Sequence, residues 1–423
     1  MKYYYGTDSE KVDITDKFES CVFIPNGDLA RDQLFGDPVP FQIKHIFIED
    51  SQGTVSKYSH RVKIKIVNSE IITEEVFFPV IVSVAKLESK YIEEWVLYHL
   101  ALGFKQIFLY DNEDTPTYKE ILKDYHQVIV NHIPGNNHHK PIQYLILDHF
   151  ITFYKSNGII THCAHIDVDE FIVLKKHKDI SLFIKDYIHG DCCGIGMNWR
   201  FFGDSGQSYS NGEPLTQRFK MCQKSCNNHI KTLFDVSLTS GWELCHHIYK
   251  PPGYYVKSTS GTIIPGSFND DLSTDVIQLN HYKCKTFSEF KYIRTRGRAD
   301  LMEQPVEDIV NDFNQINFNE VEDLFAYNFY KNISASIKFD FINLTDYLNN
   351  RGFTDFEGYS QQLPEQVNDL TELSKGKKNV LEIGFNAGHS SFIFLQNGCN
   401  VVSFDLNVHD YVKVAKEYID NKF

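Results

Sequence analysis

The 423-residue sequence predicts an α/β protein: a doubly wound, mostly parallel sheet, with a small β-rich module before it and a truncated Rossmann-like fragment after it. Three observations carry this. Apolar strand-like runs alternate with amphipathic helical runs between residues 76 and 300. One run, Ile159 to Phe171, stays apolar and β-branched until it ends in Asp167, Asp169 and Glu170, as a buried parallel strand does at a ligand-binding sheet edge. The alternation then restarts near Asn379 with a strand, a glycine turn and a helix.

Composition narrows the class. A hydrophobic share of 42% with 23% charged residues is that of a globular chain able to bury a core. The formal charge of -14 argues against a nucleic-acid partner. No apolar run reaches the length of a membrane span, and the start, Met1-Lys2-Tyr3-Tyr4-Tyr5-Gly6, lacks a signal-peptide core, so a soluble, cytoplasmic protein is expected. Nine cysteines, an odd number, fit reduced thiols in that compartment. Cys222, Cys226 and His229 have no matching second half in Cys245, His246 and His247, and no zinc site is expected there.

Residues 1–75 are read as the β-rich module, with strands at Gln42–Ile48 and Arg61–Val67 and a turn at Asp50-Ser51-Gln52-Gly53. The main domain, 76–300, opens with a strand at Val80–Val84, followed by a helix capped by Ser89 that carries Ile92, Trp95, Val96 and His99 on one face and stops at Gly103. Strands follow at Gln106–Tyr110 and Val128–Val130. A helix opened by Pro141 and closed by Gly158 then leads to the acidic strand end. Lys86, Glu88 and Asp111-Asn112 follow earlier strands and should lie at the same edge. Asp111 reads equally as a turn former and as an acceptor for a uracil N–H. Further on, Cys193–Trp199 is a strand running into a glycine turn, with Trp199 a sugar-stacking platform or plain core. Val276–Asn280 delivers His281, ahead of a basic tract of Lys283, Lys285, Lys291, Arg294, Arg296 and Arg298 that suits a diphosphate.

On a pleated strand Asp167 and Asp169 share one face while Val168 turns away. Two carboxylates that close repel unless a cation lies between them, and oxygen ligands favour hard ions such as Mg²⁺ or Mn²⁺, which bridge diphosphate oxygens.

The succession Lys86-x-Glu88, Glu94-Trp95-x3-His99, Gly103, Tyr110-Asp111-Asn112, Asp167-x-Asp169-Glu170-Phe171, Trp199-x3-Gly203, His281-Tyr282-x2-Lys285, Arg296-Gly297 and Asn319-x-Val321-Glu322-Asp323 resembles the family 92 glycosyltransferases and their family 2-like relatives, over residues 78–330. The resemblance implies a GT-A fold, a nucleotide-sugar donor, with UDP-galactose the leading donor, a glycan acceptor and Mn²⁺ or Mg²⁺. It makes Asp169 the main metal ligand, Asp167 a ligand supporting the nucleotide and His281 the third ligand. Lys86, Glu88, Asp111, Lys285 and Arg296 fall on the donor side. For an inverting reaction Asp204 and Glu243 are candidate bases, and Trp199, Trp242 and His246 candidate acceptor contacts. The alternatives are a carbohydrate-binding pseudoenzyme and a methyltransferase with a glycan-recruiting domain.

Residues 301–370 read as a polar helical extension. In 371–423, Glu382-x-Gly384-x3-Gly388, with Asp405 after the next strand, resembles motif I of class I S-adenosylmethionine (SAM)-dependent methyltransferases. The resemblance places SAM there, with Asp405 on its ribose. Only strand-helix-strand-helix is present up to Phe423, so a fragment of a longer bifunctional protein is expected, without methyltransferase activity in this form.

Overall fold

The structure is a computed structural model that describes residues 1–18, 22–25, 28–39, 44–59, 61–67, 70–135, 141–154, 159–239, 241–294, 306–333, 338, 340–357, 359 and 363–423. The chain divides into two units, residues 1–117 with 129–330, and residues 118–128 with 331–423.

In the first unit the N-terminal module is two small antiparallel sheets. Strands β1 (Lys2–Gly6), β2 (Lys11–Asp13), β4 (His45–Glu49) and β5 (Val55–Tyr58) pair in the order β2-β1-β4-β5. Strands β3 (Val22–Ile24), β6 (Val62–Val67) and β7 (Glu70–Glu75) pair as β3-β6-β7. Alternation turns Tyr3, Tyr5, Ile46, Ile48 and Ile64 inward into one core. Arg61 anchors the module to the main sheet through an ion pair with Asp235.

The main sheet contains β8 (Pro79–Ala85), β9 (Gln106–Asp111), β10 (Val128–His132), β11 (His162–His165), β12 (Glu170–Leu174), β13 (Cys192–Phe201), β15 (Ile230–Asp235), β18 (Tyr255–Lys257) and β19 (Ile277–His281). Short strands β14 (Met221–Cys222) and β20 (Val321–Glu322) pair with each other, as do β16 (Gly241–Leu244) and β17 (His247–Tyr249). The order is β10-β9-β8-β11-β15-β13-β19-β12, with β18 on β13. Strands β8, β9, β11, β13, β18 and β19 run one way, and β15 and β12 the other. The sheet is therefore mixed and mostly parallel. The helix Ile142–Phe153 packs Ile146, Leu147 and Phe150 against Val80, Val82 and Phe108. The helix Ile92–Ala101 packs on β12, where Trp95 Nε1 donates to Glu170 O at 2.8 Å and Tyr98 Oη to Ile172 O at 3.1 Å.

Two local expectations change. The residue before the Ile92–Ala101 helix is Tyr91, without a side-chain cap, and Ser89 lies in the preceding turn. Strand β11 ends at His165, so Asp167 and Asp169 stand on a turn closed by Glu170 N donating to Asp167 O. The strand pleat does not pair them, and Val168 lines the same cavity as its neighbours.

In the second unit β21 (Asn379–Ile383) and β22 (Asn400–Phe404) form a parallel pair joined through the His389–Gln396 helix. Tyr418 and Ala415 of the Tyr411–Lys422 helix are fully buried. Among the described residues no helix is long and apolar enough to cross a membrane.

Candidate functional site

Strand direction gathers the site. The carboxyl ends of β8, β11, β13 and β19 and the amino ends of the reversed strands β15 and β12 fall on one sheet edge. The ladders pair His281 with Glu170 and with Phe201, and Lys231 with Met197, so residues far apart in sequence meet there. A cavity of about 580 Å³ opens at this edge, within the range of small-molecule sites.

Asp167 and Asp169 both line the cavity, and each faces a buried lysine. Lys231 Nζ lies 3.3 Å from Asp167 Oδ2 and 4.0 Å from Glu170 Oε2. Lys285 Nζ lies 3.7 Å from Asp169 Oδ2 and 3.4 Å from Glu88 Oε2. His281 Nε2 is 3.5 Å from Asp169 Oδ1, and its Nδ1 is 3.9 Å from Glu170 Oε1. Glu170 is fully buried, and its Oε2 accepts Asp167 N at 2.9 Å. This bond ties the buried carboxylate to the turn that presents the pair.

Burial opposes charge at all of these groups, and the lysines outweigh it at the aspartates. Asp169 is held well below the usual carboxylate range because Lys285 and His281 overcome its burial. Asp167 is lowered in the same way by Lys231 and His165. Burial pushes Glu170 up, beyond what Lys231 can offset. Lys231 itself is raised, since Asp167 and Glu170 outweigh its burial. The aspartates are therefore anionic at neutral pH in a pocket that also displays ammonium groups.

Most sequence-predicted residues converge here. Lys86, Glu88, Asp167, Asp169, Trp199, His246 and His281 line the cavity, and Lys285 lies directly behind Glu88 and Asp169. Others do not. Asp111 accepts Glu113 N at 3.0 Å and Thr117 N at 2.7 Å, the turn-forming alternative, while its neighbour Asn112 reaches the cavity. Asp204 pins a turn: Oδ2 accepts from Asn317 Nδ2 at 2.9 Å, and Oδ1 from Gly206 N at 2.9 Å and Asn319 Nδ2 at 3.1 Å. Glu243 is exposed and meets His247 Nδ1 at 2.8 Å on the β16–β17 hairpin. Trp242 is core, edge-on to Phe234 and His165. Neither candidate base lines the cavity, and nor does Trp242. Arg296 lies outside the described residues.

Sequence reasoning missed Lys231, Glu170 and His229. Glu170 stood in view beside the acidic pair, and the signal was an acid opening the apolar run Phe171 to Leu174. Lys231 offered only a charge inside an otherwise apolar strand, Ile230 to Asp235, which is itself a cue to a buried partner.

The donor set can be tested against a divalent cation. Asp169 and His281 offer oxygen and imidazole nitrogen facing each other, Asp167 shares the cavity, and His281 Nδ1 is buried without a hydrogen-bond partner among the described residues. The chemistry fits Mn²⁺ or Mg²⁺. The described residues do not, however, gather three or more such groups into a ready coordination set, and the lysines hold the carboxylates.

In the second unit the glycine turn takes the predicted form: Gly384 and Gly388 have φ of 93° and 74°, which favour glycine. Asp405 Oδ2 accepts Asn386 N at 2.8 Å and Oδ1 accepts Asn407 N at 2.6 Å, while Glu382 accepts from Ser390, Ser391 and Ser403. Both acidic residues brace the turn itself.

An α/β sheet with an acidic, lysine-buttressed ligand cavity at its edge is the class these features define. No known protein-family pattern matches the chain. A glycosyltransferase family 92 protein of Ricinus communis is 22% identical over 219 residues, covering 48% of this chain and 35% of that protein. The chain thus spans about a third of the length of the curated relative it matches. Among solved structures, HddC from Yersinia pseudotuberculosis aligns with 43% of this chain and 83% of its own, at 10% identity and a TM-score of 0.24, too low to argue from.

Proposed function

We propose that the chain is a glycosyltransferase that moves a sugar, galactose first among the candidates, from a nucleotide-diphosphate donor, UDP-sugar foremost, to a hydroxyl of a glycan or other acceptor. The observation that carries this reading is the convergence of Asp167, Asp169 and His281 on one cavity, with the buried Lys231 and Lys285 behind the two aspartates, together with the likeness to a family 92 protein. Asp169, His281 and Asp167 are the residues to hold Mn²⁺ or Mg²⁺, which supplies positive charge for the departing diphosphate. Lys86, Lys283 and Arg294 line the same cavity and add positive charge for that anion. Lys285 sets the position of Asp169 and Glu88.

A carbohydrate-binding protein without turnover is the second reading. It is favoured by one observation: Lys231 and Lys285 already pair with Asp167 and Asp169, so each aspartate has a cation beside it without a metal. Calorimetric titration of UDP, with GDP for comparison, in Mn²⁺ and in EDTA, for wild type and Asp169→Asn, separates the two. UDP affinity that drops about tenfold or more on removing either the metal or the Asp169 charge is expected. No nucleotide binding under any condition sinks catalysis and leaves the binding reading.

A further inference from the structure

Two candidate bases from the sequence lie away from the cavity, so the acceptor proton needs another destination. On the β13–β19 side of the acidic pair the wall is built from imidazoles spaced around Trp199. His229 stacks on the indole at 5.1 Å and 16°, and His246 meets it edge-on at 5.3 Å and 77°. The two imidazole rings are 6.0 Å apart. Lys86, Glu88 and Asn112 stand on the other side, at the ends of β8 and β9.

Hydrogen bonds fix the tautomer of both rings. His246 Nδ1 is 2.8 Å from Ile230 O, and a carbonyl oxygen only accepts, so Nδ1 carries the hydrogen and Nε2 the lone pair. His229 Nδ1 is 2.8 Å from Asn227 Oδ1, an oxygen identified by the backbone N of His229 that also donates to it at 2.9 Å. Both rings therefore keep Nε2 as an acceptor, and both residues line the cavity. Burial first, with Lys231 adding to it, brings His246 down to about 4, so the ring is neutral at pH 7. The carboxylates lining the cavity are already engaged: Asp167 with Lys231, and Asp169 and Glu88 with Lys285.

Resting on the glycosyltransferase reading, we infer that the wall of Trp199, His229 and His246 is the subsite for a hydroxyl-rich sugar acceptor, and that His246 Nε2 is the base of an inverting transfer. Two accepting imidazoles whose rings lie 6.0 Å apart suit two hydroxyls of one sugar, with Trp199 setting their spacing. In the step, the acceptor oxygen forms a bond to the anomeric carbon of the donor as its proton passes to His246 Nε2. The bond from that carbon to the diphosphate oxygen breaks, and its electron pair leaves on the diphosphate. The imidazolium then returns the proton to water.

The test uses the full chain, Mn²⁺ and UDP-galactose, with UDP release followed in water alone and with methyl β-galactoside as acceptor probe, alongside a UDP titration. His246→Gln is expected to lower kcat about 100-fold in both assays while UDP binds as in wild type. His246→Glu, which restores a base, is expected to recover about tenfold over the Gln variant. His229→Gln is expected to raise KM for the probe more than it lowers kcat. A His246→Gln protein that binds UDP and keeps kcat within about threefold overturns the assignment, as does a Glu variant no faster than Gln. Wild type that binds UDP without turnover also overturns it, because a poised base accepts the proton of water too. Wild type that fails to bind UDP overturns the donor reading and this inference together, and the titration alone reveals that outcome.

Discussion

The acidic turn after β11 and the glycine turn after β21 look alike in sequence, each a strand running into small and acidic residues, but they satisfy their charges in opposite ways. Glu382 and Asp405 accept hydrogen bonds from serines and backbone N–H groups within about one supersecondary unit. Asp167, Asp169 and Glu170 face cations delivered from β15 and from beyond β19, and Glu170 Oε1, His281 Nδ1 and Lys285 Nζ remain buried without hydrogen-bond partners among the described residues. Local hydrogen bonds stabilise a turn and leave its charge spent. Long-range ion pairs hold charge in place without using every lone pair and proton in a hydrogen bond.

The comparison breaks most sharply at Lys231. Lys231→Met leaves Glu170 buried and Asp167 partly buried without their cation, and is expected to cost about 3–5 kcal/mol of stability in urea unfolding. Glu382→Gln, by contrast, keeps an oxygen for the serines and is expected to cost about 1 kcal/mol. Equal losses would mean that the two turns are held by the same kind of force.

Glycines sharpen it next. At Gly203 an added Cβ would lie 2.4 Å from Phe318 O and 2.6 Å from Asn319 Oδ1, so Gly203→Ala is expected to cost about 1–3 kcal/mol by displacing backbone. Gly384 has open space, and Gly384→Ala carries only the cost of φ at 93°, about 1–2 kcal/mol. Thermal unfolding of both variants checks the order.

Acid provides a third contrast. Burial would raise Glu289, but the two-pronged bond from Arg218, with Thr286 and Tyr91, holds it well below the ordinary carboxylate value. The stability this contributes is complete above the unfolded value near 4.5 and is lost as pH falls below it. Melting temperature is expected to fall more steeply below pH 4.5 in wild type than in Glu289→Gln, and parallel curves would remove the role. The smallest effect is expected in the second unit: labelled SAM should yield no methyl transfer, and detectable transfer would reverse that expectation.

Burial periodicity made the main architecture readable. The alternation that places Val80 and Val82 on one side of β8, the stop at Gly103 with φ of 106°, and the helix opened by Pro141 are all written locally. So was the acidic pair, and so was His281 at the end of β19, because charged residues after an apolar run mark a strand's exit from the core. Sequence patterns report neighbours along the chain, and they misplaced two features for that reason. The carboxylates were assigned to a pleat where the chain has already turned, and Asp204 was given to catalysis although Asn317 and Asn319, more than a hundred residues on, claim it for a turn.

By itself the sequence determined an α/β chain whose strand ends carry acids, a histidine and a basic tract. Tertiary structure alone decided which charges meet. Strand β15 runs against its neighbours, so its first residues reach the same edge as the last residues of β11, and Lys231 comes to lie 3.3 Å from a carboxylate 64 positions earlier. The same ladder sets Ile230 O where it fixes the tautomer of His246. Strand direction and register are set by how two faces of a sheet are buried together, a property of the packed layers that no local stretch of sequence encodes.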